Sequence, residues 1–127
     1  LQKVLLIDDN RIDLLINEKL VQRYFPEAEV TKKSLAKEAL DYLHHTSTYP
    51  DLILLDIKMP EMDGFEFLDR LADYPFAQSL VIFMLSSSID PSDLSRADEN
   101  DLVAGYLQKP ISIAGIERVK AFFSARK

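Results

Sequence analysis

Four apolar runs each stop at a polar residue, and the residues that stop them limit what the chain can become. Val4-Leu5-Leu6-Ile7 ends in Asp8-Asp9, and Leu52-Ile53-Leu54-Leu55 ends in Asp56. Leu80 through Leu85 end in Ser86, and Val103 through Gln108 end in Lys109-Pro110. Runs this short and apolar on both faces read as strands of a parallel sheet covered by helices. Parallel strands present their carboxyl ends on one side. Three carboxylates, a hydroxyl and an ammonium are then expected at one rim, a set suited to a divalent cation and a phosphoryl group.

The segments between the runs carry helical periodicity. Asn10 is an expected N-cap for a helix over 10–25, with Asp13 in its first turn and Pro26 as its stop. Its apolar set (Ile12, Leu14, Leu15, Ile16, Leu20, Val21, Phe25) is wider than one buried stripe needs. Most of it is expected in the core, with Leu14 or Leu15 the candidates for an exposed partner contact. A weak, charged strand over 27–33 suits a sheet edge, and Ser34 is the expected cap of a helix running to His45. Pro60 and Asp63-Gly64 break the chain before a helix over 64–72, which Tyr74-Pro75 ends. Asp90-Pro91-Ser92-Asp93 combines an acidic N-cap with proline at the first helical position. Ser112 or a neighbour opens the last helix, which ends near Arg126.

Strand and helix thus alternate five times, which predicts one α/β domain over 1–127, a parallel sheet with right-handed crossovers and helices on both faces. Ligands of such open sheets bind beyond the carboxyl ends of the strands, where strand order reverses. If the first and third strands are neighbours, Asp8, Asp9 and Asp56 crowd together, and at least one carboxyl must hold a raised pKa unless a cation offsets the charge. Mg²⁺ takes oxygen ligands, keeps several waters and uses one or two carboxylates. A carboxylate beside it can act as a nucleophile toward phosphorus. Lys109 is a compact counter-charge for a phosphoryl oxygen, and Ser86 a short hydroxyl donor. A single acid at a strand end is more often a cap or a turn residue, and a lone Lys-Pro is usually a loop; the full set at one rim does not read that way.

Composition narrows the class. The 127 residues are 47% hydrophobic, with no cysteine and a net charge of −6. The acidic balance argues against direct nucleic-acid binding. Absent cysteines exclude disulfides and thiolate metal sites and fit a reducing, cytoplasmic setting. No run approaches the ~20 apolar residues of a membrane span, and no secretory leader is legible, so a soluble protein is expected.

These motifs resemble the receiver domain of two-component response regulators, the CheY-like family. The matching residues are Ile7-Asp8-Asp9-Asn10, the stretch from Asp51 through Asp56 to Gly64, Leu85-Ser86-Ser87, and Tyr106-Leu107-Gln108-Lys109-Pro110. The resemblance covers essentially the whole chain. It implies a flavodoxin-like (βα)5 sandwich with strand order 2-1-3-4-5, an order that periodicity alone leaves open. It implies that Asp56 is the phosphoacceptor, receiving a phosphoryl group from the phosphohistidine of a sensor kinase or phosphotransfer protein. By the same resemblance Asp9, Asp56 and the backbone carbonyl of Lys58 would bind Mg²⁺, with Mn²⁺ as an alternative, and Asp8 would help through a water. Lys109 and Ser86 would contact the phosphoryl group, and the Lys109-Pro110 bond would be cis. Ser86 and Tyr106 would form the switch, and Lys58 and Ser88 would tune phosphoryl lifetime. The effector is not implied; the surface from the fourth helix through the fifth strand to the fifth helix (α4-β5-α5) would change on phosphorylation, in a monomer or a phosphorylation-dependent dimer.

Departures from the family pattern are few. Ser86 replaces the commoner threonine, Ser87 stands at a position that is often alanine, and residues 73–78 lengthen one connection. Two rivals are weaker. A Mg²⁺ phosphatase with an aspartate nucleophile wants an acid two residues later, where this chain has Lys58. A pseudo-receiver would not keep Asp8, Asp9, Asp56, Ser86 and Lys109 together. His44 and His45 read as a solvated helix end, and Asp98-Glu99-Asn100-Asp101 as a solvated face beside the expected partner surface.

Overall fold

Leu52 through Leu55 have no exposed surface, which requires that both faces of their strand be covered. A computed structural model describes residues 1–88 and 90–126. Its elements run β1 (Lys3–Ile7), α1 (Arg11–Tyr24), β2 (Glu29–Lys33), α2 (Ala36–His45), β3 (Leu52–Asp56) and α3 (Gly64–Leu71). A 3-10 helix (Pro75–Ser79), β4 (Ile82–Ser86), α4 (Pro91–Glu99), β5 (Val103–Gln108) and α5 (Ile113–Ala125) follow. The strands form one sheet in the order β2-β1-β3-β4-β5, and every pair is parallel.

Strand alternation sorts the core into two layers. Leu5, Ile7, Ile53, Leu55 and Met84 pack with Leu43 of α2, Phe67, Leu68 and Leu71 of α3 and Ala97 of α4. Val4, Leu6, Leu54, Phe83 and Leu85 pack with Leu14 and Val21 of α1 and with Ile116 and Val119 of α5. This division makes residues 4–7 of β1 and residues 52–55 of β3 apolar at every position. β2 lies at the edge and is only half covered, which accounts for its charged sequence.

The helix starts follow local chemistry. Asn10 Oδ1 accepts from the N–H groups of Ile12 at 2.9 Å and Asp13 at 3.0 Å. Asp63 and Glu66 form a reciprocal capping box, and Asp90 and Ser112 cap α4 and α5. Ser34 does not cap α2. The N-cap is Leu35, without a side-chain bond, and the Ser34 hydroxyl instead donates to Glu38 Oε1 at 3.3 Å. Strand four opens at Ile82 rather than Leu80, because the Leu80 N–H closes the Pro75–Ser79 turn by donating to the Ala77 carbonyl at 3.1 Å. Of the two leucines singled out on α1, Leu14 is buried and Leu15 is half exposed, beside exposed Ile12 and Ile16.

One glycine is required by close approach. A Cβ at Gly64 would lie 2.6 Å from the Asp56 carbonyl oxygen, so the loop after β3 can fold back over its strand end only without a side chain there. The Gly64 N–H donates to the Ile57 carbonyl at 2.7 Å in the same turn.

Candidate functional site

The parallel sheet delivers all five polar strand ends to one rim. Asp8 and Asp56 lie at the ends of the neighbouring strands β1 and β3 and are almost fully buried, as is Ser86 at the end of β4. Asp9 is exposed at the mouth. One carboxylate oxygen from each of Asp8, Asp9 and Asp56 lies within 4.8 Å of the others. These are hard oxygen donors at a spacing that could hold a divalent cation.

Lys109 enters from the end of β5, where its N–H donates to the Ser86 carbonyl at 2.7 Å. The Lys109-Pro110 peptide is cis. The ammonium donates to Asp8 Oδ2 at 3.0 Å and to Asp13 Oδ2 at 2.9 Å, and it lies 3.4 Å from Asp56 Oδ1. Asp8 is held in turn by the Asn10 N–H, which donates to its Oδ1 at 2.9 Å.

The electrostatics are unbalanced. Burial, and then the negative charge of Asp8, push the Asp56 carboxyl up from 3.8 to about 7, although Lys109 opposes them. Burial pulls the Lys109 ammonium down, but its hydrogen bonds to Asp13 and Asp8 and the charge of Asp56 carry it above the ordinary lysine range. One ammonium does not compensate the carboxylates around it. A bound cation would.

The switch candidates meet at a backbone carbonyl. The Ser86 hydroxyl donates to the Ser88 carbonyl at 2.8 Å, and the half-buried Tyr106 hydroxyl donates to the same oxygen at 3.3 Å. Lys58 and Ser88 are exposed at the rim. His44 and His45 are exposed at the end of α2, with His45 Nδ1 2.8 Å from the Asp41 carbonyl. Asp98, Glu99 and Asp101 are exposed, while Asn100 accepts from the Leu102 N–H at 2.9 Å. Sequence reasoning missed Asp13 as a partner of Lys109. The signal was its place four residues after Asp9, one turn into α1 on the side facing the rim.

Residues 4–119 match the response regulator receiver domain family, and the chain belongs to that family. It is 31% identical over 117 residues to the two-component response regulator ARR10 of Arabidopsis thaliana. That match covers 92% of this chain and 20% of ARR10, so the chain spans about a fifth of that relative's length. A response regulator receiver protein from Dyadobacter fermentans superposes with a TM-score of 0.84 at 31% identity, covering 97% of this chain and 98% of that one. A two-component response regulator from Cytophaga hutchinsonii superposes at 0.85 with 28% identity, covering 94% of each. The flavodoxin-like fold expected from the sequence is the fold observed. Among the described residues no helix is long and apolar enough to cross a membrane.

Proposed function

We propose that this receiver domain is a phosphorylation-operated switch in which Asp56 takes a phosphoryl group from the phosphohistidine of a sensor kinase or phosphotransfer protein. The Asp56 carboxylate oxygen bonds to phosphorus as the phosphorus–nitrogen bond breaks. The imidazole leaves with the electron pair and takes up a proton. The observation that carries the reading is the convergence of a buried acid held near pH 7 with a lysine 3.4 Å away and two further carboxylates.

Each residue has a task. Asp9 and Asp56, with the Lys58 carbonyl, would hold Mg²⁺ or Mn²⁺, and Asp8 would help through a water. When bound, the cation offsets negative charge on the carboxylates and on the phosphoryl oxygens. Lys109 donates to a phosphoryl oxygen. Ser86 leaves the Ser88 carbonyl to donate to another, and Tyr106, which shares that carbonyl, moves inward. This local charge change biases a two-state element, and the α4-β5-α5 face carries the result to an effector or a second copy in the cytoplasm. Lys58 and Ser88 set how readily water reaches the phosphoryl group.

Incubation with acetyl phosphate and Mg²⁺, read by intact mass, tests the proposal. A gain of one phosphoryl mass that disappears in Asp56→Asn and without Mg²⁺ supports it. Equal labelling of wild type and Asp56→Asn, or none in either, overturns it.

A further inference from the structure

Lys109 touches three carboxylates that are not equivalent. Asp8 and Asp56 belong to the group whose oxygens lie within 4.8 Å of one another, and Asp13 does not. Asp13 stands in the first turn of α1, where its N–H donates to Asn10 Oδ1 at 3.0 Å. Its side chain is 29% exposed, against 1% for Asp8. Asp13 Oδ2 is nevertheless the shorter of the two hydrogen-bond partners of the ammonium, at 2.9 Å against 3.0 Å.

A cation at the Asp8, Asp9 and Asp56 cluster would change what holds Lys109. Asp8, turned toward a water on that cation, would hold the ammonium less exclusively, and two positive charges would face each other across a buried site. An ammonium on a flexible four-carbon stem leaves such a place readily unless a fixed anion keeps it. Asp13 is that anion among the described residues: it contacts the ammonium, lies outside the cation group, and is anchored by a capped helix.

We propose that Asp13 is a positioning residue that tethers the Lys109 ammonium beside Asp56 once a cation competes with the ammonium for Asp8. The proposal rests on the phosphoacceptor reading for its consequence, faster phosphoryl transfer, but the tether itself is observable without any phosphoryl donor. A simple charge effect points the other way. Deleting an acid near the rim should favour an anionic donor, whereas loss of the tether should slow it.

The test follows the ¹⁵N–¹H signal of the Lys109 ammonium, assigned by its absence from Lys109→Arg, with and without saturating Mg²⁺. Carboxylate and amide shifts at Asp8, Asp9 and Asp56 report binding of the metal itself. Wild type is expected to keep the signal in both states. Asp13→Ala is expected to keep it without Mg²⁺, where Asp8 still holds the ammonium, and to lose it with Mg²⁺. Asp13→Asn, which keeps an acceptor of nearly the same shape and guards against misfolding of the alanine variant, should be intermediate. Labelling of Asp13→Ala from acetyl phosphate should slow about tenfold, the worth of one charge-assisted hydrogen bond, and Asp13→Glu should recover part of it. A signal in Asp13→Ala that persists with Mg²⁺ overturns the proposal, as does loss of the wild-type signal on adding Mg²⁺, or no Mg²⁺ binding at all. Failure of the wild type to take a phosphoryl group would instead strike the phosphoacceptor reading, and the ammonium signal would still decide the tether.

Discussion

Asp56→Asn is expected to stabilise the metal-free protein, and the gain should grow with pH. The Asp56 carboxyl moves from 3.8 to about 7 on folding, through burial first and the charge of Asp8 second. The folded state therefore binds this proton more tightly than the unfolded state. Stability from that proton is full below pH 3.8 and is lost as pH rises toward 7. At about 1.4 kcal/mol per pH unit, the unscreened cost of ionised Asp56 at pH 8 is ~4 kcal/mol, and solvent screening at this partly open rim cuts it to ~2 kcal/mol. At pH 5 the same reasoning leaves less than ~1 kcal/mol. Asparagine removes the charge with little change of shape, and Lys109 keeps Asp8 and Asp13 as partners. Urea unfolding in EDTA at pH 5 and pH 8 measures the difference. A midpoint rise of ~8 °C in a pH 8 thermal scan is the equivalent readout. Added Mg²⁺ should narrow the gap, because wild type binds it better. Equal stability of the two proteins at pH 8, or a gain that is the same at both pH values, would refute the electrostatic account of the site.

Other expectations are simpler. Lys109→Ala leaves Asp8, Asp13 and Asp56 uncompensated and should cost ~3 kcal/mol at pH 8 without metal, by urea unfolding, while acetyl phosphate labelling falls sharply. Gly64→Ala places a methyl 2.6 Å from the Asp56 carbonyl oxygen, so a loss of ~1–3 kcal/mol is expected in the same assay, with weaker Mg²⁺ binding because the β3 end must shift. Tyr106→Phe deletes the 3.3 Å bond to the Ser88 carbonyl and should cost no more than ~1 kcal/mol in stability, while lowering the fraction of phosphorylated protein in the switched conformation seen by NMR. A Lys58→Ala, Ser88→Ala double substitution should change the decay rate of phospho-Asp56; decay identical to wild type would remove both residues from that role.

Much of this protein was legible along the chain. Apolar runs at β1, β3 and β4 read as covered parallel strands because burial on both faces leaves no polar positions. Asn10, Asp63, Asp90 and Ser112 appear at helix starts, where orphan N–H groups need acceptors. Ser34 failed as a cap because a helix start depends on how the chain leaves β2, and the backbone enters the helix one residue later. The Pro75–Ser79 turn was hidden because a single 3-10 turn has too few residues to show a period. On α1 the pattern was too broad to say which leucine faced water; packing against the sheet chose Leu14 for the core and left Leu15 outside.

Local chemistry and periodicity by themselves determined the alternation of strands and helices, and with it the gathering of Asp8, Asp9, Asp56, Ser86 and Lys109 at one rim. Those are consequences of short-range rules and of parallel direction. Only the tertiary structure decided how the charges share one another. It placed Lys109 between Asp8, Asp13 and Asp56, residues up to 101 positions away in the chain, and it joined Ser86 and Tyr106 through the Ser88 carbonyl. It also raised Asp56 toward neutrality. Such effects depend on distance and burial in a low-dielectric site, and neither quantity is written in the order of residues.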